Sequence, residues 1–129
     1  MARQLRSLRR GEHSLPITTL APASSKYATI PNYGVTYLTS GNDYVLDAPG
    51  EGVLKRIICV SSSSLATVIR GSTGVTVTFN NNGATQIAFT ASSTVDRSVE
   101  LLGVNSTRWT VLNVHPYTTD SLSPSVATS

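Results

Sequence analysis

The sequence predicts an all-β fold, a single small sandwich or barrel-like domain, and three observations carry that expectation. Between Val35 and Val114, short runs rich in Val, Ile, Thr, Tyr and Phe alternate with clusters of Gly, Asn, Pro and Ser. Val75, Val77 and Phe79 alternate with Thr76 and Thr78, which places apolar side chains on one face of a strand and hydroxyls on the other. The chain carries 18 Ser and 17 Thr but only 13% charged residues, unlike long-helix proteins, which are rich in Glu, Lys, Leu and Ala. With 129 residues it is long enough to enclose one modest core and too short for two.

Residues 1 to about 34 are expected to form an extended N-terminal arm lying over a surface and outside the core. Pro16, Pro22 and Pro31 break helices and favour extended backbone, and Ala21-Pro22-Ala23-Ser24-Ser25 is a small-residue stretch. Leu5 and Leu8, spaced i, i+3, fit one short amphipathic turn that needs a partner to be stable. The β domain is expected over 35–114, with strands near Val35–Thr39, Tyr44–Asp47, Val53–Val60, Ala66–Arg70, Val75–Phe79, Thr85–Thr90, Arg97–Leu102 and Thr107–Val114. Asn80-Asn81-Asn82-Gly83 tolerates positive φ, so a hairpin is expected between Val75–Phe79 and Thr85–Thr90. Gly41-Asn42, Pro49-Gly50-Glu51-Gly52, Gly71-Ser72-Thr73-Gly74 and Asn105-Ser106 mark the other reversals. Residues 115–129, polar and small with Pro116 and Pro124, read as an extended tail. No helix of ten or more residues is expected.

The net charge of +3 is unevenly placed. Arg3, Arg6, Arg9 and Arg10 stand against Glu12 in the first 13 residues, while the remainder holds equal numbers of bases and acids. The sequence is therefore a neutral body with a basic arm. Arginines on such an arm can neutralise phosphates, anionic lipid heads or protein carboxylates. Nucleic-acid binding would call for basic residues on the body or aromatics interleaved with them, and neither occurs, so nucleic acid is not the expected partner. Leu5 and Leu8 among the arginines fit an acidic protein surface better. The arm residues Arg3, Leu5, Arg6, Leu8, Arg9 and Arg10 are the candidate binding set.

Chemistry finds little support. A hydrolase triad needs a base beside a nucleophile, and the two histidines, His13 and His115, lie in the arm and at the start of the tail. Gly71-Ser72-Thr73-Gly74 lacks the Gly-x-Ser-x-Gly spacing of a nucleophile elbow and reads as a turn. One Cys and two distant His match no zinc spacing, and no phosphate-binding glycine loop is present. Asp43 and Asp47, at i, i+4 on a strand, lie about 13 Å apart by strand rise and read as solvated charges at strand ends. The expectation is a non-enzyme with no metal and no cofactor. Cys59, within Ile57-Ile58-Cys59-Val60, reads as a buried, inert thiol, and a lone cysteine makes no internal disulfide. Without an apolar signal core or a run of about 20 apolar residues, neither secretion nor a membrane partner is expected, and the product should be soluble and made in a cytosol.

Two stretches resemble a known family. Tyr44-Val45-Leu46-Asp47-Ala48-Pro49, followed by Gly50-Glu51-Gly52-Val53-Leu54-Lys55-Arg56-Ile57-Ile58, resembles the strand pair that opens a β module of small tailed-bacteriophage virion proteins. Ser98-Val99-Glu100-Leu101-Leu102-Gly103, continuing to Trp109-Thr110-Val111, resembles the end of the same module, with Phe79 and Phe89-Thr90-Ala91 between them. The resemblance spans residues 44–114. It implies a part of a head decoration protein, head fibre or tail spike, often trimeric. For a decoration protein it implies a β body seated on the capsid exterior and an arm crossing neighbouring copies of the major capsid protein, with synthesis in the host cytoplasm. Repeats, collagen triplets and heptads are missing, which favours a compact capsid cement protein over a fibre shaft. The second expectation is a tail-associated adsorption module that binds a host-surface glycan or protein. Phe79, Phe89, Trp109 and Val111 are the candidate core or oligomer-contact residues, with Trp109 read as core or as lying at a trimer axis. Glu100 is a possible cross-strand partner of Arg108, of little worth if exposed.

Overall fold

In the computed structural model, residues 16–20, 28–39, 43–60, 67–71, 77–80, 84–89, 95–116 and 125–127 are described. They form eleven strands and no helix: β1 (Ile17–Leu20), β2 (Ala28–Ile30), β3 (Gly34–Leu38), β4 (Asp43–Leu46), β5 (Leu54–Cys59), β6 (Thr67–Gly71), β7 (Thr78–Phe79), β8 (Gln86–Phe89), β9 (Arg97–Asn105), β10 (Arg108–His115) and β11 (Ser125–Ala127). A six-stranded sheet has the order β1-β3-β5-β9-β10-β7, and a five-stranded sheet has the order β11-β8-β6-β4-β2. The fold is a small all-β sandwich, as the alternating runs predict.

Among these strands the chain changes sheet at every step except β9 to β10. Successive strands of one sheet therefore run parallel at first, with Ile17 beside Val35 and Val35 beside Arg56. The second sheet repeats the pattern, Ala28 pairing with Tyr44 and Tyr44 with Ile69. The antiparallel pairs β5/β9, β9/β10, β6/β8 and β8/β11, with the short parallel pair β10/β7, complete the two sheets. Parallel neighbours need a crossover, and here the crossing segment is a strand of the facing sheet.

The interior is built by alternation. Every second residue of β3, β4, β5, β8 and much of β9 points inward, and Ile30, Leu38, Tyr44, Leu46, Ile57, Cys59, Ile69, Phe79, Ile87, Phe89, Val99, Leu101 and Trp109 are buried between the sheets. Cβ positions on a strand alternate faces, so a period of two in the sequence becomes one apolar layer per sheet. Phe79, Phe89 and Trp109 are thus core residues, and Val111 is half-buried against the same cluster.

Two sequence expectations are corrected. Among the described residues, the expected hairpin between Val75–Phe79 and Thr85–Thr90 is not a paired ladder: β7 and β8 lie in different sheets, and only an isolated antiparallel bridge from Phe79 to Ala84, ahead of β8, closes the reversal. The competing partner is β10. Thr78 N–H donates to Thr107 O (2.8 Å), Asn80 N–H donates to Trp109 O (2.7 Å), and Asn80 Oδ1 accepts from Val111 N–H (2.9 Å). Asn80 does adopt a positive φ of 64°. The turn propensity was real, but the reversal carries the chain from one sheet to the other, which lets Phe79 and Phe89 bury from opposite sides.

The strand system also reaches further in both directions than the Pro-rich composition predicts. Ile17–Leu20 joins the first sheet, Ile30 is fully buried, and Ser125–Ala127 pairs with β8. All three of these strands are sheet edges, and Pro16, Pro31 and Pro124 stand immediately beside them. Proline is compatible with strand ends and edges, so here it marks strand boundaries within the body.

The turn between β4 and β5 is seated on β9. Gly52, at φ 78°, donates its N–H to Gly103 O (2.8 Å), and Gly103 N–H donates to Val53 O (2.9 Å). A Cβ on Gly103 would collide with the carbonyl of Gly50, so only glycine allows this approach.

Candidate functional site

The arm residues Arg3, Leu5, Arg6, Leu8, Arg9 and Arg10 lie outside the described residues, as does His13. The polar constellation that the structure does bring together lies on the outer face of the six-stranded sheet. Register aligns Val35, Arg56, Glu100 and Asn113 across four strands, and beside that row Tyr37, Ile58, Ser98 and His115. Leu54 and Leu102 follow on the other side, and Ile17 and Leu54 are exposed large hydrophobics. The face mixes aliphatic side chains with Tyr37, Ser98, Asn113 and His115, and the pair of Arg56 and Glu100 is set among them.

That pair is Arg56 and Glu100, directly opposite each other on β5 and β9, with the Arg56 guanidinium donating to Glu100 Oε2. The expected Arg108–Glu100 pairing is corrected by register. Arg108 opens β10 opposite Asn105, whereas Glu100, deeper in β9, faces Asn113. The turn between these strands is closed by Asn105 Oδ1, which accepts from Thr107 N–H (2.9 Å) and Thr107 Oγ1–H (3.0 Å).

A bulge shapes the site. Val111 pairs with Leu101 and Asn113 with Glu100, so Leu112 is an extra residue on β10. Without it the alternation would bring Leu112 to the place opposite Glu100. With it, Asn113 stands there, and Arg56, Ile58, Ser98, Glu100, Asn113 and Val114 border a groove of about 300 Å³. On the facing sheet, Arg70 pairs with Asp43 (3.1 Å), while Asp47 is exposed.

Two buried cations went unread in the sequence. Lys55 points inward from β5, donating to Tyr33 O (3.0 Å) and Thr36 Oγ1 (2.5 Å), and burial pushes its ammonium down to about 8. Arg97 is equally buried, donating to Val95 O (3.2 Å), Val60 O (3.4 Å) and Cys59 Sγ (3.3 Å). The signal for Lys55 was available: it shares parity with Ile57 and Cys59, whereas Arg56 shares parity with Leu54 and Ile58. Cys59 is a buried free thiol, as its apolar neighbours predict.

Among the described residues, no three of His, Cys, Asp and Glu are grouped to hold a metal ion, and no helix is long and apolar enough to cross a membrane. The described geometry sets hydrogen-bonding groups among aliphatic ones on the outer face of the larger sheet. Set against known protein families and against curated proteins, the chain matches none.

Proposed function

We propose that this chain is a structural virion protein, a capsid decoration or cement protein of a tailed bacteriophage. It binds the outer surface of the major capsid protein shell and stabilises the head without chemistry. The observation that carries the reading is the division of charge: Arg3, Arg6, Arg9 and Arg10 precede β1, and the sequence after residue 13 has no net charge. The resemblance of residues 44–114 to phage virion modules supports the same reading. A neutral β body supplies a rigid seat, and a basic arm supplies charge-assisted contacts to acidic capsid side chains. Each attachment raises the effective concentration of the next, so modest contacts suffice, and a homotrimer would triple them without new sequence.

Removal of residues 1–13 tests the arm. The shortened protein should keep the cooperative unfolding of the body and lose most of its binding to capsids that lack the protein. Undiminished binding would sink the arm's role. Labelling the protein in intact particles tests the location: signal over the whole head is expected, and signal confined to the tail would favour an adsorption module instead.

A further inference from the structure

We infer that the groove over Arg56, Glu100 and Asn113 is a saccharide-binding site that takes a single neutral sugar residue, free or within a longer glycan. This inference is independent of the capsid reading, because it concerns the body alone. Arg56 and Glu100 neutralise each other, so a formally charged ligand would have to compete with the existing pair. What the pair still offers is mixed: the guanidinium has five N–H donors and the carboxylate about four lone-pair sites, and one contact between them leaves most of these available. Both side chains keep part of their surface exposed, 49% and 27%, so those groups reach solvent.

Ser98 and Asn113 add to the mixture. A hydroxyl and a primary amide each donate and accept, and among the described residues neither side chain has a protein hydrogen-bond partner. Donors and acceptors thus alternate over a few ångströms of sheet, which is the complement of adjacent hydroxyls that also both donate and accept. Ile58, on the same outer face as Arg56, borders the groove and offers apolar contact to the C–H face of a pyranose, while Val114 packs toward the core. The volume, about 300 Å³, is at the small end of ligand clefts and admits one small ring.

The bulge makes the site more than an incidental surface pair. Leu112 is added to β10 at the point where the ladder would otherwise set a leucine against Glu100, and it is itself left exposed. A large exposed apolar residue and a broken ladder both carry a cost, and the result is an amide placed beside the ion pair. Bulges re-aim side chains in this way next to binding sites.

The experiment is saturation-transfer NMR on the full chain at neutral pH, with the methyl glycosides of glucose, galactose, mannose and N-acetylglucosamine as probes. Inorganic phosphate is run as a separate arm, read by the side-chain chemical shifts of Arg56 in isotope-labelled protein. At least one glycoside should receive saturation. Glu100→Gln and Asn113→Ala should each weaken its binding by roughly tenfold, the loss expected when a hydrogen bond to a charged or well-placed group is removed. Asp43→Asn, which breaks the ion pair of the opposite sheet, should leave binding unchanged. Thermal melts of all three variants check that the fold is kept. The inference is overturned if no glycoside receives saturation, if binding survives both groove variants, or if phosphate alone perturbs the Arg56 resonances.

Discussion

Lys55 places an ammonium inside an apolar sandwich with only neutral acceptors, Tyr33 O and Thr36 Oγ1, among its hydrogen-bond partners. Its folded value, about 8, lies below the unfolded value near 10.4. Between these limits the unfolded chain binds more protons than the folded one, so stability rises with pH across that window and is flat below it. The rise should reach up to about 3 kcal/mol. Lys55→Met should remove it, so that denaturant midpoints measured at pH 7.5 and pH 10 differ less than in the parent protein. An equal pH dependence in the variant would show that the ammonium is not desolvated. Trp109 makes a different point. It is fully buried, and its Nε1 has no hydrogen-bond partner among the described residues. Trp109→Ala should cost about 3–5 kcal/mol through cavity formation. Trp109→Phe should cost clearly less, since it fills most of the space and removes the unpaired donor. Denaturant unfolding of both variants reads the difference.

At the scale of elements, the strands that were legible are those with their own apolar alternation. Leu54–Cys59 and Arg97–Asn105 declare a period of two, and they occupy the centre of the six-stranded sheet. Ile17–Leu20, Ala28–Ile30 and Ser125–Ala127 are edge strands of three or four residues beside prolines, too short to show a period and recognisable only through their partners. Pairing was less legible than existence. Asn80-Asn81-Asn82-Gly83 announces a reversal but not whether it stays within one sheet, because that choice is made by β10, about 30 residues later. The groove was illegible for the same reason, since Arg56, Glu100 and Asn113 meet only through register. The turn seat at Gly103 gives a sharp test of that register. Gly103→Ala would drive a methyl into the Gly50 carbonyl, which belongs to the backbone and has little freedom to yield. A loss of at least about 1–3 kcal/mol is expected from denaturant unfolding, and a neutral effect would mean that the turn is not docked on β9.

For the whole molecule, the proposed capsid role gives the basic N-terminal residues and the β body two separable behaviours. Binding that depends on Arg3, Arg6, Arg9 and Arg10 should weaken as salt is raised, because exposed charges are screened within about 8 Å at physiological ionic strength. Melting of the body, which rests on burial between two sheets, should respond far less. Capsid-binding isotherms and thermal melts over the same salt series would show the contrast, and parallel loss of both would mean that arm and body are not independent.

The passage of the chain from sheet to sheet also has a consequence for synthesis. Among the described strands, β9 and β10 are the only consecutive pair joined by hydrogen bonds, and β5 is joined to β9, so the centre of the larger sheet is completed by late residues. The ladders β1/β3/β5 and β2/β4/β6/β8 can close earlier, but β5 keeps one edge open and the core lacks Val99, Leu101 and Trp109 until β9 and β10 are made, and ladders between distant residues are slow to close. A chain ending at Val95 should therefore be degraded by protease at once and melt without cooperativity, and a resistant fragment would contradict this order. The nascent protein is most exposed to aggregation while the ribosome is still adding its last quarter.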